Sequence, residues 1–225
     1  SDVGCVRPHN EDSYLVQSPL FCVCDGMGGH AAGEVASSIA VETIAKTAPQ
    51  SADAARLAAA VEAANAAVIE AALNGLGKPG MGCTATCAYI ENDTLAIAHV
   101  GDSRAYLLHE GTLIRVTRDH SYVEELVDAG EITADEARVH PNRSVITRAL
   151  GSDPAMYADH FTLHIEEGDR LILCSDGLSS MIPDSDIENI ATQSSTAQIC
   201  VDNLVDAALA AGGHDNVTVI VSNVT

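Results

Sequence analysis

Residues 20–24, Leu-Phe-Cys-Val-Cys, are an uninterrupted apolar run that stops at Asp25-Gly26, the pattern of a buried strand running into a loop. The period then changes. From about Gly33 to Ala48, Val35, Ala36, Ile39, Ala40, Thr43 and Ile44 recur at helical spacing, and Pro49 ends the segment. Ser51 or Asp53 is placed to cap a second helix, in which Leu57, Val61, Ala64, Val68 and Ala72 form one stripe with Gly75 near its stop. Two helices in succession argue against a strict alternation of parallel strands and helices.

Residues 84–90 and 94–100 predict two strands joined by Glu91-Asn92-Asp93, and residues 105–109 and 112–117 two more joined around Glu110-Gly111; such short connections make antiparallel hairpins. Residues 118–155 carry only short helical patterns (Val123, Leu126, Val127; then Thr133 to Arg138), with His140-Pro141 and Gly151, and read as an inserted flap. Strands return at 161–165, 170–174 and 217–222, with a helix from about Ser195 to Ala211 closed by Gly212-Gly213. The expectation is an α+β chain, one domain over residues 1–225, with mainly antiparallel sheet covered by helices.

Apolar residues are 47% of the chain but aromatics only 3%, with no Trp, so the core falls to Ala, Val, Ile and Leu. Eleven Lys and Arg against 32 Asp and Glu give a net charge of −21. That field repels phosphate backbones and anionic lipid, which argues against nucleic-acid or membrane partners and favours cations. Seven cysteines, most of them in apolar runs, fit free thiols in a reducing cytosol, and the absence of a secretory signal or a long apolar stretch predicts a soluble cytoplasmic protein.

Four aspartates stand at strand ends beside Gly or in Gly-rich turns. Asp25 follows Phe21-Cys-Val-Cys, Asp102 follows His99-Val-Gly, Asp176 follows Leu173-Cys-Ser, and Asp215-Asn216 precedes Val217-Thr-Val-Ile-Val. Each alone is ordinary turn chemistry. If they converge, their mutual repulsion calls for divalent cations, and an all-oxygen donor set selects hard ions such as Mg²⁺ or Mn²⁺. The near-duplicate segments Cys22-Val-Cys-Asp-Gly-Met-Gly-Gly and Leu173-Cys-Ser-Asp-Gly-Leu-Ser-Ser add weight to a binuclear centre.

The ordered motifs Arg7-Pro-His-Asn-Glu-Asp12, Val23-Cys-Asp-Gly-Met-Gly-Gly-His-Ala-Ala-Gly-Glu34, Gly82-Cys-Thr84, His99-Val-Gly-Asp-Ser-Arg104, Arg118-Asp-His120, Cys174-Ser-Asp-Gly177 and His214-Asp-Asn-Val217 resemble the metal-dependent protein serine/threonine phosphatases of type 2C, the small bacterial branch in particular. The resemblance implies a four-layer αββα sandwich of two mainly antiparallel sheets with two Mn²⁺ or Mg²⁺ ions at one edge. It implies that Asp25 bridges both ions, Gly26 lends its carbonyl, Asp176 and Asp215 complete the second ion, and Asp12 and Glu11 hold metal-bound waters. It further implies that Asp102 and the Ser144 carbonyl form a third-ion site, and that Arg7 grips the substrate phosphate. The implied reaction is hydrolysis of phosphoserine and phosphothreonine in proteins by a water or hydroxide bridging the two ions, by a monomer opposing Ser/Thr kinases.

Two positions depart from the family's pattern. Met27 stands where eukaryotic members have a His proposed as general acid, which leaves that role unassigned with His30 as a candidate; Cys83 stands where Thr is commoner. The rival enzyme patterns are weak. Gly26-Met-Gly-Gly-His-Ala31 matches a dinucleotide loop, but Asp25 beside it repels a pyrophosphate, and no Cys is followed six positions later by Arg. The alternative from another class is a catalytically silent phosphoprotein-binding module, whose expected mark is loss of a core metal aspartate; Asp25, Asp176 and Asp215 are all present.

Overall fold

The computed structural model describes residues 1–28 and 32–225, so His30 and part of the Gly26–Ala31 pattern lie outside the described residues. In chain order the first half comprises β1 (Ser13–Gln17), β2 (Leu20–Cys24), β3 (Gly26–Met27), α1 (Ala32–Thr47), α2 (Ala54–Leu73), β4 (Gly82–Cys83), β5 (Ala85–Glu91), β6 (Thr94–Val100), β7 (Arg104–His109) and β8 (Thr112–Arg115). There follow α3 (Tyr122–Asp128), α4 (Ala134–Val139), β9 (Asp159–His164), β10 (Arg170–Cys174), α5 (Asp176–Ser179), α6 (Asp184–Gln193), α7 (Ala197–Ala210) and β11 (Val219–Asn223).

One sheet runs β1-β2-β5-β6-β9 and the other β11-β10-β7-β8, with every pairing antiparallel. Strand alternation assigns each side chain to a layer. On β2, Cys22 and Cys24 face Ala36, Ala40 and Ile44 of α1 and Leu57, Val61 and Val68 of α2. Phe21 and Val23, one residue out of phase, meet Ile97, Leu107, Leu171 and Leu173 between the sheets. The outer face of the second sheet, with Tyr106, Ile172 and Cys174, packs on Ile187 of α6 and Leu204 and Ala208 of α7. The result is the four-layer αββα sandwich, and small Ala and Cys side chains at the helix-to-sheet contacts let these layers approach closely.

Local signals place most boundaries. Asp53 caps α2 by accepting from Arg56 N, Glu110 (φ 49°) and Gly111 (φ 79°) turn β7 into β8, and Thr133 and Glu136 form a capping box on α4. The segment from 118 onward carries α3 and α4 and is stapled at its base: Ser121 bridges Ile146, Tyr122 N donates to Val145 O at 2.9 Å, and Arg115–Glu124 and Arg118–Asp128 are ion pairs.

Three features differ from the sequence reading. Strand β1 is an edge strand whose Tyr14 and Val16 are exposed, so it carries no apolar stripe to read. Helix α6 buries only Ile187 and Ala191, and α5 is a single turn. The last strand begins at Val219, because Val217 pairs instead with Asp2 in an isolated antiparallel bridge.

Candidate metal centre

Asp25 lies where β2 leaves the first sheet. Its N–H donates to Thr84 Oγ1 and its carbonyl accepts from Thr84 N, both at 2.9 Å, and Thr84 Oγ1 meets Ser103 Oγ at 2.7 Å. This fixes the β2 end against the β6–β7 turn, where Asp102 stands. Gly101 holds φ 109° in that turn, and a Cβ there would lie 2.5 Å from Thr84 Cγ2, so the approach requires glycine. Gly26 is equally constrained: a Cβ would lie 2.3 Å from the Gly33 carbonyl and 2.4 Å from that of Glu11.

Asp176 opens α5, and Gly177 beside it leaves no room for a Cβ, which would fall 1.9 Å from Asn216 O. The turn of α5 therefore docks directly on the Asp215-Asn216 loop. Asn216 in turn holds the N-terminal arm: its Nδ2 donates to Val3 O and His9 O at 2.9 Å each, and its Oδ1 accepts from Glu11 N at 2.8 Å. The same arm carries Arg7, whose Nη2 donates to Asp215 Oδ2 at 2.6 Å, and Asp12, whose Oδ2 accepts from Ser175 Oγ at 2.8 Å and Thr218 Oγ1 at 2.7 Å.

Five carboxylates from five separate segments thus share one electrostatic neighbourhood. Burial pushes Asp25 well above the usual carboxylate range, and the charges of Asp12, Asp176, Asp102 and Asp215 push it further. Asp102 is raised by burial and then by Asp176 and Asp119. Asp12 is raised by burial against the opposing effect of its two hydroxyl donors, and Asp176 reaches about 6 through burial, Asp215 and Asp12. Arg7 is raised in the opposite sense of charge, chiefly by its bond to Asp215.

Among the described residues, Asp12 Oδ1 and Asp102 Oδ1 are the buried side-chain oxygens without a hydrogen-bond partner. A bare buried carboxylate oxygen is costly, and an oxygen-only set of crowded acids is the donor chemistry of Mg²⁺ or Mn²⁺. Among the described residues no three His, Cys, Asp or Glu side chains close into a ready-made cage. The residues fit hard divalent ions in donor type and in their unmet bonding capacity.

A cavity of about 330 Å³ opens beside these acids, lined among others by Asp102, Ser144, Asp176 and Asp215. The structure therefore brings Asp12, Asp25, Asp102, Asp176, Asp215 and Arg7 together, sets Gly26 against Glu11, and places exposed Ser144 on the same cavity. Sequence reasoning assigned no role to Thr84, Ser103, Ser175, Asn216 and Thr218, which position the acids. Thr84, Ser103, Ser175 and Asn216 lie inside the quoted motifs, so a signal existed; Thr218 follows directly after one. Arg104 and Asp119, also in motifs, form a buried pair on the cavity wall, Arg104 Nη2 donating to Asp119 Oδ2 at 2.7 Å.

Residues 2–217 match the family described as Protein phosphatase 2C. The chain is 42% identical over 230 residues to the serine/threonine protein phosphatase PstP of Mycobacterium tuberculosis, covering 100% of this chain and 44% of that protein; it thus spans less than half of that relative. It is 37% identical to the serine/threonine phosphatase stp of Listeria welshimeri, covering 98% of this chain and 92% of the relative. The crystal structure of the PstP catalytic domain in complex with two manganese ions superposes with a TM-score of 0.90 at 38% identity, over 100% of this chain and 96% of that one. With residues 2–217 matched by the family and a relative 37% identical over nearly its whole length, the chain belongs to the protein phosphatase 2C family.

Proposed function

We propose that this chain is a metal-dependent phosphatase that removes phosphate from serine and threonine side chains of proteins. The observation that supports it most is the convergence of Asp12, Asp25, Asp102, Asp176 and Asp215 with two buried carboxylate oxygens left unbonded. Asp25, the Gly26 carbonyl, Asp176 and Asp215 would hold two Mn²⁺ or Mg²⁺ ions, Asp12 and Glu11 would orient their water ligands, and Asp102 with the Ser144 carbonyl would hold a weaker third. Such ions would supply what the side chains lack, an acidified water and neutralisation of charge on the phosphoryl oxygens.

The chain's own contribution is placement. Arg7, half exposed at the mouth, exchanges Asp215 for the substrate phosphate, where a guanidinium offers two parallel donors. Ser175 and Thr218 fix Asp12, and Thr84 fixes Asp25, so both acids are positioned before ligands arrive. The substrates are phosphorylated proteins, the functional counterparts are Ser/Thr kinases, and the chain acts as a monomer in the cytoplasm. No helix among the described residues is long and apolar enough to cross a membrane.

Hydrolysis of p-nitrophenyl phosphate and of a phosphothreonine peptide tests this reading. Turnover should require Mn²⁺ or Mg²⁺, stop with chelator and return with added metal. Chelator-resistant turnover, or tight phosphopeptide binding without turnover as in a silent binding module, overturns it.

A further inference from the structure

The chain has 11 Lys and Arg residues, and eight of them are engaged. Arg7, Lys46, Arg56, Arg104, Arg115, Arg118 and Arg148 are in ion pairs. Arg170 bonds Asn223 and the carbonyls of Ala191 and Ser194. Among the described residues this leaves Lys78, Arg138 and Arg143 with neither an ion pair nor a side-chain hydrogen bond, and both arginines line the cavity beside the acidic centre.

Their backbone is fixed even though their side chains are exposed. Arg138 stands in the last turn of the capped helix α4. Arg143 lies in the turn that follows, where Arg143 N donates to His140 O and Val145 N to Asn142 O, each at 3.1 Å. The α3–α4 segment is tied to the second sheet by Arg115–Glu124, and Arg118–Asp128 braces α3 against the chain that leads into it. Two guanidinium groups are thus presented over the cleft by a braced support, in a protein of net charge −21.

We propose that Arg138 and Arg143 form a subsite for carboxylate side chains flanking the phosphorylated residue, so that the chain selects phosphoproteins with acidic sequence around the phosphosite. This rests on the phosphatase reading and names its substrate class. The overall field repels acidic peptides at a distance; only a local pair of unengaged guanidinium groups, each able to grip a carboxylate through two donors, offsets that repulsion at the cleft. A solvent-facing arginine that merely complements a helix end explains Arg138 alone. It does not explain a second unpaired arginine outside the helix on the same cavity.

The test compares three phosphothreonine peptides carrying Asp/Glu, Asn/Gln or Lys at the positions flanking the phosphate, with Mn²⁺ present. The acidic peptide should show kcat/KM about 10-fold above its amide counterpart, mostly through KM and weakening with salt. The R138A/R143A double variant should bring the two within about 2-fold while p-nitrophenyl phosphate turnover is unchanged, and R138E/R143E should favour the Lys peptide. Equal kcat/KM for all three peptides, or an acidic preference that survives both double variants, overturns the subsite. Absence of metal-dependent turnover on every peptide and on p-nitrophenyl phosphate overturns the phosphatase reading itself, and the subsite with it.

Discussion

Ser175 donates its hydroxyl hydrogen to Asp12 Oδ2 at 2.8 Å across 163 positions of sequence. The Ser175 oxygen accepts in turn from Thr218 N at 3.0 Å, and Thr218 Oγ1 supplies the second donor to the same carboxylate oxygen. Three strand ends are thereby tied through one carboxylate, whose other oxygen is left bare and buried.

Ser175→Ala should therefore act on metal binding more than on folding. Loss of one donor leaves the Thr218 N–H unpaired and frees the Asp12 carboxylate to rotate, costing about 1–3 kcal/mol of stability. Outer-shell partners of metal ligands typically change affinity or activity by about 10–100-fold. The Mn²⁺ concentration for half-maximal activity should rise within that range while circular dichroism stays native. An unchanged Mn²⁺ titration would remove Ser175 from this role.

Arg7 is held by Asp215 at 2.6 Å while about half of its side chain remains exposed. Because the pair sits at the mouth, its contribution to stability is small, and the Arg7→Ala melting temperature should stay close to that of the parent. Its effect belongs to substrate: loss of a charge-assisted phosphate contact should raise KM about 10-fold or more with kcat affected less. Arg7→Lys should recover only part, since a point charge lacks the paired donors. Steady-state kinetics on a phosphopeptide measures both.

The layer order was legible because strand and helix periods differ and because β2 reads as apolar on both faces: Cys22 and Cys24 turn to the helices, Phe21 and Val23 to the other sheet. Strand β1 was not legible, since an edge strand with Tyr14 and Val16 in solvent carries no buried stripe. Helix α6 escaped for a related reason, with a buried face of only Ile187 and Ala191. Within the site, Asp25, Asp102, Asp176 and Asp215 were visible as carboxylates at strand ends beside Gly or in Gly-rich turns. Asn216, which ties Val3, His9 and Glu11 to the C-terminal loop, stands inside a motif, but its role was hidden because its partners are backbone groups more than 200 residues away, which the motif does not encode.

Arg104 and Asp119 form a buried pair in which Nε lies 3.0 and 3.1 Å from the two carboxylate oxygens and Nη2 2.7 Å from one. Tyr106 OH accepts from the same guanidinium at 3.1 Å and donates to Asp184 at 3.0 Å, which links β7 to α6. Asp119→Ala leaves the mostly enclosed Arg104 guanidinium with only the exposed Asp184, 3.6 Å from Nη1, as a charge partner, at a cost of about 3 kcal/mol and a fall in melting temperature of roughly 6–12 °C for a chain of this size. The double change Arg104→Met with Asp119→Leu should be less damaging than Asp119→Ala alone, because no charge is stranded. Thermal denaturation of the parent and the two variants decides it; a double variant that melts at or below Asp119→Ala would contradict the coupling.

His99 is fully enclosed between the sheets. Its Nε2 donates to Arg118 O at 3.0 Å and its Nδ1 lies 3.0 Å from Thr86 Oγ1. The His120 ring stacks on it with centroids 5.0 Å apart, and His120 accepts from Gly101 N on Nδ1 and donates from Nε2 to Asp159, each at 3.0 Å. Burial first, and the His120 charge second, hold the His99 pKa down at about 4 against an ordinary 6.5. The unfolded chain then binds the extra proton between those values, so stability rises with pH across the window and is lost as the pH falls from 6.5 toward 4. The full effect is on the order of 3 kcal/mol. His99→Gln removes the titrating group, and its urea-unfolding free energy should depend less steeply on pH between 6.5 and 4 than that of the parent, even if its stability at neutral pH is lower. Parallel pH profiles for the two proteins would mean that His99 titrates alike in the folded and unfolded chains, contrary to its enclosure.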